Sequence, residues 1–316
     1  MNPNALAEKK KARLDKLAAA GADAGGVSLW RDALRRLRRN PVAITGAVIV
    51  ALFLLMAIFA PLLAPKDPTK NYLLSCCVRL NEGKIPGPQS GFPLGTDVEG
   101  RDFLSRLIYG SRQTLFVGVL ATVIGLSIGV TLGAIAGAVA GWVDNVIMRV
   151  VDVLLALPSL LLAVTLVALV QRPNQWTVIL AVAIVNIPIF ARLLRGSMLA
   201  QRESDHVLAA RSLGVKQRSI VLRHMLPNAL SPVIVRATLT LATAILDAAA
   251  LSFLGLGDQD FNRAEWGIML GGEGQQYFGL AARLAYYPAI AIIIVALGFT
   301  LLGEAMREAL DPKNRR

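Results

Sequence analysis

The chain has 316 residues, 55% of them hydrophobic, with a mean hydropathy of +0.56 and a formal net charge of +12. The apolar residues gather into runs near the ~20 residues needed to cross a bilayer, which excludes an ordinary soluble domain. The basic excess lies beside those runs without interleaved base-stacking aromatics, so it reads as membrane topology, with a lipid bilayer and no nucleic acid as partner.

Residues 1–26 are rich in Ala and Lys, end in the run Gly21–Gly26, and read as a solvated cytoplasmic tail. Residues 27–41 predict an amphipathic interfacial helix. Ser28 can cap it, Trp30, Leu34 and Leu37 share a face, and Arg31, Arg35, Arg36, Arg38 and Arg39 suit acidic headgroups. The first span is 42–64, closed by Pro61 and Pro65, and a polar loop, 65–113, follows. A transmembrane core, 114–303, holds further spans at Thr114–Val139, Val146–Val170, Trp176–Leu194, Ala229–Phe253 and Leu284–Gly303. Within it lie a cytoplasmic loop, 195–228, and an outer loop, 254–283, and a short tail, 304–316, ends the chain. The predicted fold is an all-α polytopic membrane protein with six transmembrane helices. With the N-terminus inside, the cytoplasmic segments hold about 21 Lys and Arg and the outer ones about ten, so both termini are expected in the cytoplasm.

Gly125, Gly129, Gly133, Gly137 and Gly141 recur every four residues along the second span, a stripe suited to close helix packing. Pro158 and Pro188 sit mid-span and predict kinks. Charges inside spans are costly and mark sites of interest. Arg149 and Asp152, one turn apart near the cytoplasmic end of the third span, read as a local ion pair or as a gate contact. Asp247, deeper in the fifth span, reads either as a group on the translocation path or as a polar packing partner. Cys76 and Cys77 are the only cysteines and read as plain loop residues, with a redox-sensitive vicinal pair as the alternative. With His206 and His224 the only histidines, no metal set is expected. No Gly-x4-Gly-Lys-[Ser/Thr] phosphate loop and no catalytic constellation occurs, so no cofactor is expected in this chain and any ATP would be split elsewhere.

Between the fourth and fifth spans, Ser204 or Asp205 can cap a short helix whose exposed face is expected to carry Val207, Leu208 and Ala210. Gly214 supplies a left-handed stop, and a second short helix, Lys216–Leu226, runs into Pro227. Helix, stop and helix hanging between two spans are shaped to dock in a groove on a partner.

Ala209-Ala210, Gly214 and Leu226-Pro227 resemble the cytoplasmic coupling loop of binding-protein-dependent ABC importers, with Leu208 where that family usually has Glu. Pro93-Leu-Gly95-Thr96-Asp97, Gly100-Arg101-Asp102, Ser105-Arg106 and Tyr109–Arg112 resemble the outer-loop signature of the C-type permeases of dipeptide, oligopeptide and nickel importers. Asp144–Arg149 with Asp152 and Pro158, Ala248–Gly257, Trp266-Gly267 and Leu302–Pro312 extend the likeness from about Leu29 to the end. Phe92 stands where His is common there, Asp247 where Glu is common, and no paired prolines precede Trp266. The resemblance implies a type I ABC importer bundle, non-catalytic, in the bacterial inner membrane. It implies as partners a homologous permease, two ATPase subunits that bind ATP and Mg, and an extracytoplasmic solute-binding protein. Val207, Leu208, Ala209, Ala210, Gly214 and Pro227 would then form the ATPase contact. The rival reading is a self-sufficient secondary transporter with Asp247 as its ion site, which broken inverted repeats would support; no internal repeat is visible.

Overall fold

A computed structural model describes residues 34–73, 85–258, 260 and 262–310. Cys76, Cys77, the tail 1–26 and most of the expected amphipathic helix lie outside that range; of the helix, Leu34–Leu37 is helical. Among the described residues there are no strands, only isolated bridges at Gln89–Phe92 and Thr96–Asp102.

Helix α1, Pro41–Ile58, starts where the Asn40 side chain accepts from the amides of Val42 and Ala43, with Pro41 in the first turn. It stops at Phe59 and one more turn, Ala60–Leu63, follows. Pro61 has no amide to continue the ladder, so the expected span 42–64 is two pieces. Helix α2, Phe103–Val139, begins well before the expected Thr114 because Asp102 caps it through the Ser105 amide at 2.9 Å. Its 37 residues extend ~55 Å, far more than the ~30 Å hydrocarbon core, so its first turns stand outside the membrane.

The third span differs most from its expectation. It is two helices, α3 (Gly141–Ala156) and α4 (Ser159–Ala168), meeting at 94°. Pro158 pushes the residue before it out of the helical region, and Leu157 is extended at φ −90°, ψ 138°. A kink was expected; a corner is found. Pro188 produces no such break, since α5 (Gln175–Arg202) runs through it from an Asn174–Thr177 capping box. Helix α6 is the short Asp205–Ser212, α7 is Leu226–Phe253, and α8 is Arg283–Leu310. Among the described residues five helices are long and apolar enough to cross a membrane, and the bent pair adds a sixth if it counts as one span.

The glycine stripe sets the closest packing. A Cβ at Gly125, Gly129 or Gly133 would lie 2.9, 2.7 or 2.6 Å from the carbonyl oxygens of Ala183, Ile187 and Ala191, and one at Gly137 would lie 2.8 Å from Met198 Cβ. Backbone therefore meets backbone along α2 and α5, an arrangement only glycine permits. Gly141 does not join the stripe; it sits at φ +69° in the turn into α3. Gly133→Val is expected to cost about 1–3 kcal/mol by forcing the helices apart. Gly196→Ala, with nothing within 4 Å of the added carbon, should be neutral. Thermal unfolding of the two purified variants in detergent checks this; an unchanged Gly133→Val would contradict it.

Candidate functional site

At one end of the bundle, α6 closes in a left-handed stop. Gly214 has φ +74°, its amide donates to the Arg211 carbonyl (3.0 Å), and the Val215 amide donates to the Ala210 carbonyl (3.1 Å). This pairing satisfies the last carbonyls of the helix, and Val215 packs back on the same apolar cluster as Ala210. The faces of α6 correct the expected pattern. Val207 is fully buried and Ala210 nearly so, against Leu194 and Met198 of α5, Ile220, Met225, and Ala229 and Val233 of α7. Leu208, Ala209 and Leu213 face outward, Leu213 being 83% exposed. An eight-residue helix must bury one stripe to hold its place, and its own bundle supplies the apolar wall.

Pro227 sits in the first turn of α7. Upstream, Ile220–Met225 widens to π geometry, and the Leu226 amide reaches back to the Val221 carbonyl. Without an amide at Pro227 the ladder loses a donor, and Asn228 Nδ2 donates to the His224 carbonyl at 2.7 Å. The second short helix is thereby continuous with a span.

Arg149 and Asp152 are not each other's partner. Asp152 accepts from Arg192, and Asp144 binds Arg195 through two contacts of 2.9 and 2.6 Å. Arg149 is exposed. The two aspartates are ~12 Å apart along α3 while the two arginines are ~4.5 Å apart along α5, so α3 crosses α5 obliquely near the C-terminal end of α5. Sequence spacing favoured the local pair because the corner at Pro158, which swings α3 over α5, is not visible in it.

The outer-loop residues form a buried clamp. Gly95 (φ +76°) passes the Pro86 carbonyl so closely that a Cβ would lie 2.5 Å from its oxygen, and Gly100 (φ +76°) meets Leu73. Fully buried Asp97 accepts from the Arg101 amide (2.8 Å) and from Arg101 Nε (2.5 Å), and pairs with Arg106 at 3.2 Å. Arg101 reaches Glu273 at 2.8 Å, tying the loop to the turn after Trp266–Met269. Thr96 is buried beside this set, its carbonyl accepting from Arg283, which also holds the carbonyls of Leu94 and Pro86. Burial holds the Glu273 carboxyl above the usual carboxylate range, with Asp97 adding to the shift and Arg106 and Arg101 opposing it. Glu265 is likewise pushed up by burial while it caps the amides of Gly267 and Ile268.

Asp247 is partly buried in α7, and its carboxylate meets no hydrogen-bond or ion-pair partner among the described residues. Arg236, on the same helix, is exposed and equally unpaired among the described residues. The sequence reading passed over Arg236, although an arginine within the apolar run 229–253 is the signal that could have found it. Glu273 was missed because no spacing links it to Arg101. Among the described residues no cluster of His, Cys, Asp and Glu could hold a metal.

Asp97→Ala would leave Arg101 and Arg106 buried without their central anion, at an expected cost of about 3–5 kcal/mol. Glu99→Ala removes only a half-exposed partner of Arg101 and should change stability by less than about 0.5 kcal/mol. Membrane abundance and the unfolding temperature of each variant report the difference; equal stability would contradict the clamp.

The pattern for the binding-protein-dependent transport system inner membrane component matches residues 129–316, and that for the N-terminal transmembrane domain of oligopeptide transport permease C matches 28–75. The dipeptide transport system permease protein of Alkalihalophilus pseudofirmus is 42% identical over 287 residues, covering 91% of each chain. The glutathione transport system permease protein of Shigella flexneri is 46% identical over 284 residues, 90% of each. A chain of the inward-facing MetNI methionine ABC transporter superposes with a TM-score of 0.53 at 20% identity, over 66% of this chain and 97% of that one, which shows a shared fold. This chain belongs to the family of inner-membrane components of binding-protein-dependent transport systems, with an all-α, multi-pass permease fold.

Proposed function

We propose that the chain is one of two permease subunits of an ATP-driven importer of short peptides. Relatives named for dipeptide and glutathione transport support the substrate class. A homologous permease completes the pathway, two ATPase subunits bind ATP and Mg at the cytoplasmic face, and a solute-binding protein delivers peptide from outside. Both termini lie in the cytoplasm, and the clamp of Gly95, Thr96, Asp97, Gly100, Arg101 and Asp102 shapes the outer face. Asp247 lines the pathway, whereas Asp152, bound to Arg192, serves the α3–α5 crossing, with Arg149 beside it.

The two-sided build of α6 supports the coupling role most. Its inner stripe, Val207 and Ala210, is fastened to the lower ends of α5 and α7, while Leu208, Ala209 and Leu213 are free to seat in an apolar groove on the ATPase. Leu208 stands where a Glu is usual, so this seat is more apolar than a charged contact would be. A push on the outer stripe passes through the inner one to two spanning helices. Such transmission needs only that the ATPase bind the two states with different free energies.

Leu208→Asp and Leu213→Asp alter exposed positions and should leave the free chain's stability within about 0.5 kcal/mol. In the assembled transporter each should abolish ATPase co-purification or the stimulation of ATP hydrolysis by loaded binding protein. Gly214→Val, forced into a left-handed conformation that costs roughly 1–2 kcal/mol, should give the same phenotype by turning α6 away. Full stimulated hydrolysis and uptake in all three variants would refute the coupling assignment. For orientation, single cysteines at exposed Thr69 and Arg307 in a Cys76→Ser/Cys77→Ser background should differ, with only the former labelled in spheroplasts by an impermeant thiol reagent. Equal labelling would overturn the topology.

A further inference from the structure

Helix α7 carries two unpaired opposite charges on one face. Successive residues of an α-helix turn by about 100°, so Thr243 and Asp247 each fall within about 20° of Arg236 around the axis. Arg236 and Thr243 are exposed, Asp247 is half-buried, and neither charge meets an ion-pair or hydrogen-bond partner among the described residues. The buried residues of α7, such as Val233, Ala244, Ile245 and Ala248, face the bundle from the rest of its circumference.

Depth makes this face unusual. Arg236 lies ~15 Å above Leu226 and ~25 Å below Phe253 along the axis, inside the apolar run 229–253. An unpaired arginine against lipid at that depth costs at least ~2.5 kcal/mol, and an aspartate adds a similar penalty. An exposed face of α8 behaves as lipid-facing surface should: Ile290, Ile293 and Leu297 carry no charge. The Arg236–Asp247 face therefore needs water or a charged ligand.

We propose that Arg236, Thr243 and Asp247 form a polarised strip of the translocation pathway that binds a zwitterionic peptide end to end. The proposal rests on the permease reading and adds to it a second charge and a substrate polarity. Asp247, nearer the outer end, takes the α-ammonium group, and Arg236, nearer the middle, takes the carboxylate. Thr243 between them, its hydroxyl donating to the Thr240 carbonyl, accepts from a peptide N–H. The two charged positions are ~16 Å apart along the axis, less the several ångströms an arginine side chain can reach, which an extended peptide of about three or four residues spans. The strip is sequence-tolerant, because both ends of every unmodified peptide carry these charges.

The test uses the whole transporter, with its partner permease, ATPases and binding protein, in proteoliposomes. A cysteine at Thr243, with Cys76 and Cys77 changed to serine, should react with water-soluble methanethiosulfonates, several-fold faster with a cationic than with an anionic reagent. Asp247→Asn should reduce that preference and Arg236→Gln should raise it, while a cysteine at lipid-facing Ile293 stays unlabelled. Uptake of the best imported of di-, tri- and tetraalanine should fall at least tenfold in Arg236→Gln and in Asp247→Asn. Peptide binding to the binding protein and ATPase co-purification should be unchanged in both. An unreactive Thr243 cysteine in a transporter that still imports would mean the partner permease covers this face, and the strip is refuted while the permease reading stands. Labelling without charge preference, or full uptake by both neutral variants, also refutes it. Absence of import by the wild-type complex would remove the permease reading itself.

Discussion

The contact of α2 with α5, backbone against backbone at Gly125, Gly129 and Gly133 and against the Met198 side chain at Gly137, is the constraint on which the other features depend. Lipid offers no hydrophobic gain for helix association, so closeness and van der Waals contact must supply the binding energy. Four added carbons would each fall under 3 Å from α5, which fixes both the separation and the register of the pair. Register matters because α5 bears Arg192 and Arg195 for α3 near one end, and Leu194 and Met198 for the buried stripe of α6. A shift of one turn along α2 would displace the arginine contacts with α3, the helix that follows α2 directly.

Charge is placed by depth. At one end of the bundle, Asp97, Arg101 and Arg106 are buried beside the partly buried Glu273, and their mutual pairing offsets a desolvation penalty none could bear alone. At the opposite end, Arg192–Asp152 and Arg195–Asp144 remain partly open to solvent and act as struts across the α3–α5 crossing. Within α7, Arg236 and Asp247 have no ion-pair or hydrogen-bond partner among the described residues. Both ends of the bundle are thus fastened by ion pairs, and α7 carries its charges between them.

Much of this was legible in the sequence because bilayer crossing imposes long apolar runs and glycine spacing reports close packing directly. The order of the elements, the α6 stop at Gly214 and the glycine stripe through Gly137 follow from such local signals. What was illegible depended on three-dimensional direction. The corner at Leu157–Pro158 turned an expected span into two helices and exchanged the expected partner of Asp152 for Arg192. The inner and outer faces of α6 were misassigned for Val207 and Ala210 because an eight-residue helix has too few turns for its pattern to name its wall. The outer-loop signature was visible as residues, but its partner Glu273 lies 172 positions from Arg101 and no spacing could connect them.

The central claim is that α6 moves as one body with the lower ends of α5 and α7, so that force on its outer stripe reaches the spans. Pulsed electron–electron distance measurement in the assembled transporter tests it, with spin labels at Arg211 on α6 and at Leu222 before α7. The distance between them should stay constant from the nucleotide-free to the ATP-bound state, while the distance from Arg211 to the matching helix of the partner permease changes. A change within the chain, with the distance to the partner unaltered, would contradict the claim.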